Sequence, residues 1–138
     1  MEDKNIKLKS PEEWISQAEY DIDTAKIMME AGRYIYAIFM AHLSIEKALK
    51  AVYVFILNSE PPRTHNLILL QERIESKIKL GFTDSQNEFI EFLNEKSVPS
   101  RYPDTLHEVL KEYKKSETVK LIKQASGLIK WLKKKLKK

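Results

Sequence analysis

The sequence predicts an all-α fold, an up-and-down bundle of four to five helices with one long central helix. Three observations lead there. Apolar residues return at three- and four-residue intervals through each long segment, the breaks between segments hold Pro and Ser, and only three glycines and few β-branched runs are present from which to build a sheet. The 138 residues are read as one domain, 1–138, long enough to bury roughly two-thirds of the surface exposed by the unfolded chain.

Ser10-Pro11-Glu12-Glu13 writes a helix start: a hydroxyl cap, a proline whose missing N–H costs nothing at the first position, and acids at the positive end. Trp14, Ala18, Ile22, Ala25 and Met29 then share one face, and Gly32 supplies a stop. So short a joint makes the first two helices fold back antiparallel. Asp21 stands beside the apolar face, either near the next helix's cations or on a solvated flank.

Residues 33–58 form the predicted central helix. Tyr34, Ile38, Ala41, Ile45, Ala48, Val52 and Ile56 make one stripe, and Tyr36, Met40, Leu43, Ala51 and Val54 a second. Lys47 falls in the gap, where an ammonium needs a partner or an escape to solvent. His42, Glu46 and Lys50 follow at i, i+4, i+8, forming either a polar seam between packed faces or a solvated edge. A membrane span is disfavoured, because Glu46, Lys47 and Lys50 would each cost roughly 2.5 to 3.5 kcal/mol near the bilayer centre.

Ser59-Glu60-Pro61-Pro62 ends the helix. A third helix is expected from a Thr64 cap, with Leu67, Leu70, Ile74 and Ile78 inward and His65 a neutral structural residue in its first turn. Leu80-Gly81-Phe82 closes it. Thr83-Asp84-Ser85 opens a fourth, carrying Phe89, Ile90, Phe92 and Leu93 to about Lys96. Two prolines in 97–104 predict an ordered turn presenting Arg101 and Tyr102 outward. A short helix over 105–113 and a last one over 116–135 follow, the latter with Leu121, Ala125, Leu128 and Leu132 inward and Leu136 just beyond.

Charge is distributed unevenly. Residues 116–138 hold eight lysines against one glutamate, a local +7 that leaves −3 on the first 115 residues of a chain with net charge +4. Such a stripe, Lys133 and Lys134 included, suits phosphate backbones or an acidic partner; it also complements a helix C-terminus and keeps a surface soluble. The absence of cysteine excludes disulfides, thiol catalysis and thiolate metal sites. Residues 1–14 lack the apolar run of a signal peptide, so a cytoplasmic location is expected.

The three histidines, at 42, 65 and 107, never pair at i, i+4, and no glycine-rich phosphate loop occurs, so no dedicated metal site and no cofactor are expected. Arg101 and His107 remain. A fork-shaped permanent cation and a group titrating near neutrality suit phosphodiester chemistry in RNA: histidine moves the protons and arginine stabilises the phosphorane-like charge.

Four segments, in this order, resemble the HEPN family: Gln17-Ala18-Glu19-Tyr20-Asp21-Ile22, Ile45-Glu46-Lys47-Ala48-Leu49-Lys50-Ala51, Thr64-His65-Asn66-Leu67 and Arg101-Tyr102-Pro103-Asp104. The resemblance implies a helical bundle, commonly a homodimer, often encoded beside a minimal nucleotidyltransferase as a toxin-antitoxin-like pair. Members with an arginine and a histidine at this spacing are metal-independent RNases that join two motifs across a dimer, which would make Arg101 and His107 catalytic. Tyr102 stands where active members carry a polar residue, and Arg-Tyr-Pro-Asp marks a branch whose members resemble non-catalytic or nucleotide-binding partners. For that branch Lys47, Arg101, Tyr102, Lys133 and Lys134 would contact nucleotide or RNA, while Asp21, Glu46, Lys50 and His65 would be structural polar residues.

Overall fold

Helix α1, Pro11–Glu30, starts where Ser10 Oγ accepts the Glu13 N–H at 3.0 Å and Pro11 occupies the first turn. It ends at Gly32, whose φ of +79° opens the left-handed region that a side chain disfavours. The Arg33 N–H reaches back to the Met28 carbonyl at 2.7 Å and the Gly32 N–H to Met29 at 3.0 Å, so two free helix-end carbonyls are satisfied within the turn. The structure, a computed structural model, describes residues 8–101 and 106–137, except for the side chains of residues 98–101 and 109.

The fold is all-α, with six helices among the described residues. The long central one is α2, Tyr34–Leu57, and it packs against each of the other five. Asp21 meets Lys47 while Trp14 meets Lys50, so α1 and α2 run antiparallel. Ile35, Ile38, Ile45, Leu49 and Val52 are fully buried, and truncating such a residue to alanine costs about 2 to 5 kcal/mol. The first stripe lies in the core apart from its half-buried ends, Tyr34 and Ile56. The second is less complete, since Tyr36 is exposed.

Helix α3, Leu67–Glu75, differs from expectation at both ends. Its cap is Asn66, whose Oδ1 accepts from Ile68 and Leu69, while Thr64 Oγ1 serves the Asn66 N–H in the turn before. Two capping side chains compete at adjacent sites, and the amide reaches the helix. His65 therefore precedes α3 instead of lying in its first turn. Lys77 and Ile78 both bond back to Ile74, tightening the last turn and leaving Ile78 exposed beyond it.

Helix α4, Asp84–Arg101, opens with a reciprocal cap: Thr83 Oγ1 accepts the Gln86 N–H at 3.0 Å, and Gln86 Oε1 accepts the Thr83 N–H at 2.9 Å. Phe89, Ile90 and Leu93 enter the core; Phe92 does not. The helix continues through Arg101 and does not stop near Lys96, which replaces the expected turn over 97–101. Pro99 stands two residues from the end and removes only the bond to the Glu95 carbonyl. Side-chain donors serve nearby carbonyls, Ser97 Oγ that of Asn94 and the Tyr113 hydroxyl that of Lys96.

Helix α5, Leu106–Glu112, is short, and α6, Lys115–Lys134, returns along α1 and α2. Leu121, Ile122, Ala125, Leu128, Ile129 and Leu132 face the core, and Trp131 packs its ring 5.0 Å from Phe82.

Candidate functional site

Two polar joints cross the faces of α2. Lys47 reaches Asp21 on α1, with Nζ 2.8 Å from Oδ2; the lysine side chain is 20% exposed and the aspartate 9%. The short joint at Gly32 sets the two helices in phase for this contact, so Asp21 is buried and not on a solvated flank. The second joint is Glu46. Its Oε2 accepts from Lys50 Nζ at 3.0 Å, and its Oε1 lies 2.9 Å from His65 Nδ1 in the loop before α3. His42, Glu46 and Lys50 are all buried, which gives the seam and excludes the solvated edge. His65 itself is largely exposed at the mouth of this joint.

Arg101 ends α4, and His107 stands exposed in the first turn of α5, so the two lie at consecutive helix ends. The Arg101 side chain and all of Tyr102 lie outside the described residues. At the basic end of α6, Lys133 is tied to Glu19 of α1 at 2.9 Å, while Lys134 is exposed on the last turn. The expected nucleotide contacts Lys47 and Lys133 are thus each engaged by a carboxylate of α1.

Tyr113 closes α5 against α4. Its hydroxyl donates to the Lys96 carbonyl at 3.0 Å, and Lys96 Nζ lies 4.6 Å from its ring centroid. Burial, with the Glu112 carboxylate adding to it, raises the phenol above its ordinary value of 10.0. Among the described residues no group of three or more histidines or carboxylates is arranged to hold a metal ion, and no helix is long and apolar enough to cross a membrane.

One cluster escaped the sequence reading, which placed Trp14 simply on an apolar face. Lys9, Trp14, Lys50, Glu60 and Arg63 line a single pocket at one end of the bundle. They are distant in sequence and of ordinary type, so only the antiparallel packing of α1 on α2 reveals them.

The HEPN domain model matches residues 11–136, nearly the whole chain. The chain belongs to the HEPN family. Among its relatives, "Putative toxin MJ1304" of Methanocaldococcus jannaschii is 29% identical, over 96% of this chain and 92% of that protein. The crystal structure of ST0689, an archaeal HEPN homologue, superposes with a TM-score of 0.72 at 28% identity, covering 94% of this HEPN chain and all of the other. TT1696 from Thermus thermophilus shares the HEPN chain's fold at a TM-score of 0.78 and 20% identity, over 91% of this chain and 97% of its own.

Proposed function

We propose that this HEPN-family chain is a toxin-like helical module that acts as a cytoplasmic homodimer and pairs with a minimal nucleotidyltransferase, contacting nucleotide or RNA. The observation that carries the reading is the near full-length match to a relative described as a putative toxin, on a chain with the four ordered segments of the family. In this reading Arg101, Tyr102 and Lys134 meet the phosphates, with Lys47 and Lys133 contributing from their ion pairs. Exposed apolar side chains, Phe92 on α4 and Leu106 and Leu110 on α5, suit contact with a twin subunit.

Coexpression tests this directly. The chain alone should slow host growth, and a minimal nucleotidyltransferase encoded beside it should bind it and restore growth. No growth effect and no complex would remove the reading. Sedimentation at micromolar concentration should give twice the monomer mass, and a monomer would remove the dimer.

A second reading rests on the two helix ends that carry Arg101 and His107: a metal-independent endoribonuclease. Arg101 would bind phosphate and stabilise transition-state charge, and His107 would move protons. Cleavage should persist in chelator and disappear in His107→Ala with RNA affinity kept, whereas Arg101→Ala should lose both. Cleavage persisting in His107→Ala would remove this assignment.

A further inference from the structure

The pocket at the α1 N-terminal end combines features that the family reading does not use. Its volume is about 280 Å³, and its lining gathers three cations, Lys9, Lys50 and Arg63, against one carboxylate, Glu60. The ammonium groups of Lys9 and Lys50 both sit over the Trp14 ring, 4.0 and 5.5 Å from its centroid. Lys50 is buried and fixed by Glu46, so its position is set before any ligand arrives. Arg63 lies 3.9 Å from Glu60 on the loop between α2 and α3, almost fully exposed, and its guanidinium can turn from that weak contact.

We infer that this pocket binds a phosphate group, with Lys9, Lys50 and Arg63 as its ligands and Trp14 as its wall. Charge and donor geometry decide the class. Three cations on three separate segments suit an anion with several terminal oxygens, and a guanidinium fork can give such a group two parallel hydrogen bonds. The volume of about 280 Å³ exceeds what a phosphate alone fills and leaves room for part of what it is attached to. The ligand is therefore free orthophosphate or the terminal phosphate of a nucleotide or RNA end. The inference stands on the pocket's own residues and is independent of Arg101 and His107.

The Trp14 indole N–H provides a local probe, since it is buried without a hydrogen-bond partner and only Trp131, on α6, gives a second indole signal. In proton–nitrogen spectra of the full chain, with the Trp14 signal identified by its loss in Trp14→Phe, sodium phosphate and AMP would be titrated separately at constant ionic strength, with adenosine as the neutral control. Trp14 should move saturably while Trp131 stays still, and adenosine should do nothing. Tighter binding of AMP would assign an ester end, and tighter binding of phosphate the free ion. Lys9→Ala and Arg63→Ala change exposed side chains and should keep the fold, yet each should weaken binding roughly tenfold. No saturable shift with either probe up to about 20 mM, or a shift that both substitutions leave unchanged, would overturn the site.

Discussion

Asp21 and Lys47 join the two longest-packed helices through a 2.8 Å ion pair that is largely shielded from water. Removing one partner leaves the other desolvated and uncompensated, which costs more than the pair itself contributes. Asp21→Ala should therefore lose about 2 to 4 kcal/mol, and the double variant Asp21→Ala/Lys47→Met should recover much of it. Denaturant midpoints for wild type, the two single variants and the double variant measure this. A double-variant loss equal to the sum of the two single losses would show that the charges act separately.

Glu46 serves Lys50 with one oxygen and His65 with the other. Glu46→Ala strands a buried ammonium and should lower the thermal midpoint by about 5 to 10 °C. His65→Ala, at a largely exposed side chain, should lower it by no more than about 2 °C. Matched midpoints for wild type and Glu46→Ala would mean that Lys50 finds water instead.

The Tyr113 phenol gives a pH dependence of known sign. Its folded pKa is raised by burial and then by Glu112, so the folded state holds the proton more tightly than the unfolded one. Stability from this group is fully present below the ordinary value of 10.0 and is lost as pH rises through the higher folded value. Tyr113→Phe should lose about 1 kcal/mol at pH 7 with the bond to the Lys96 carbonyl. Above pH 10.0 the gap between wild type and variant should narrow. A gap that stays constant with pH would contradict this account.

Lys133 and Glu19 form an exposed pair between α6 and α1. Lys133→Ala should change stability by less than about 1 kcal/mol. If α6 meets RNA, deleting residues 133–138 should weaken binding and flatten its salt dependence; affinity unchanged by the deletion would confine these lysines to solubility.

Elements announced by local chemistry were legible in the sequence. Ser10 and Pro11 start α1, Gly32 ends it, Thr83 starts α4, and the apolar spacing of 121, 125, 128 and 132 gives the inner face of α6. Where two signals compete, local chemistry alone does not decide between them. Thr64 and Asn66 are both good caps, and Pro99 reads as a stop although only one helical bond lies in its way. Asp21 could be offered to the cations of the central helix but not assigned to Lys47, because that pairing depends on the rotation of α2 about α1. The cations around Trp14 had no local signal, since residues 9, 50 and 63 meet only across the packed bundle.

The position of α2 at the centre also shapes how the chain acquires its structure. α1 and α2 share the most extensive contact and are separated by a short joint, so their pairing closes the smallest loop for the greatest return and should come first. The helices after residue 66 then have a surface on which to condense, and their own contacts with one another are sparse. Substitutions at Ile38 or Ile45 should accordingly slow folding, while those at Leu128 or Leu132 should chiefly speed unfolding.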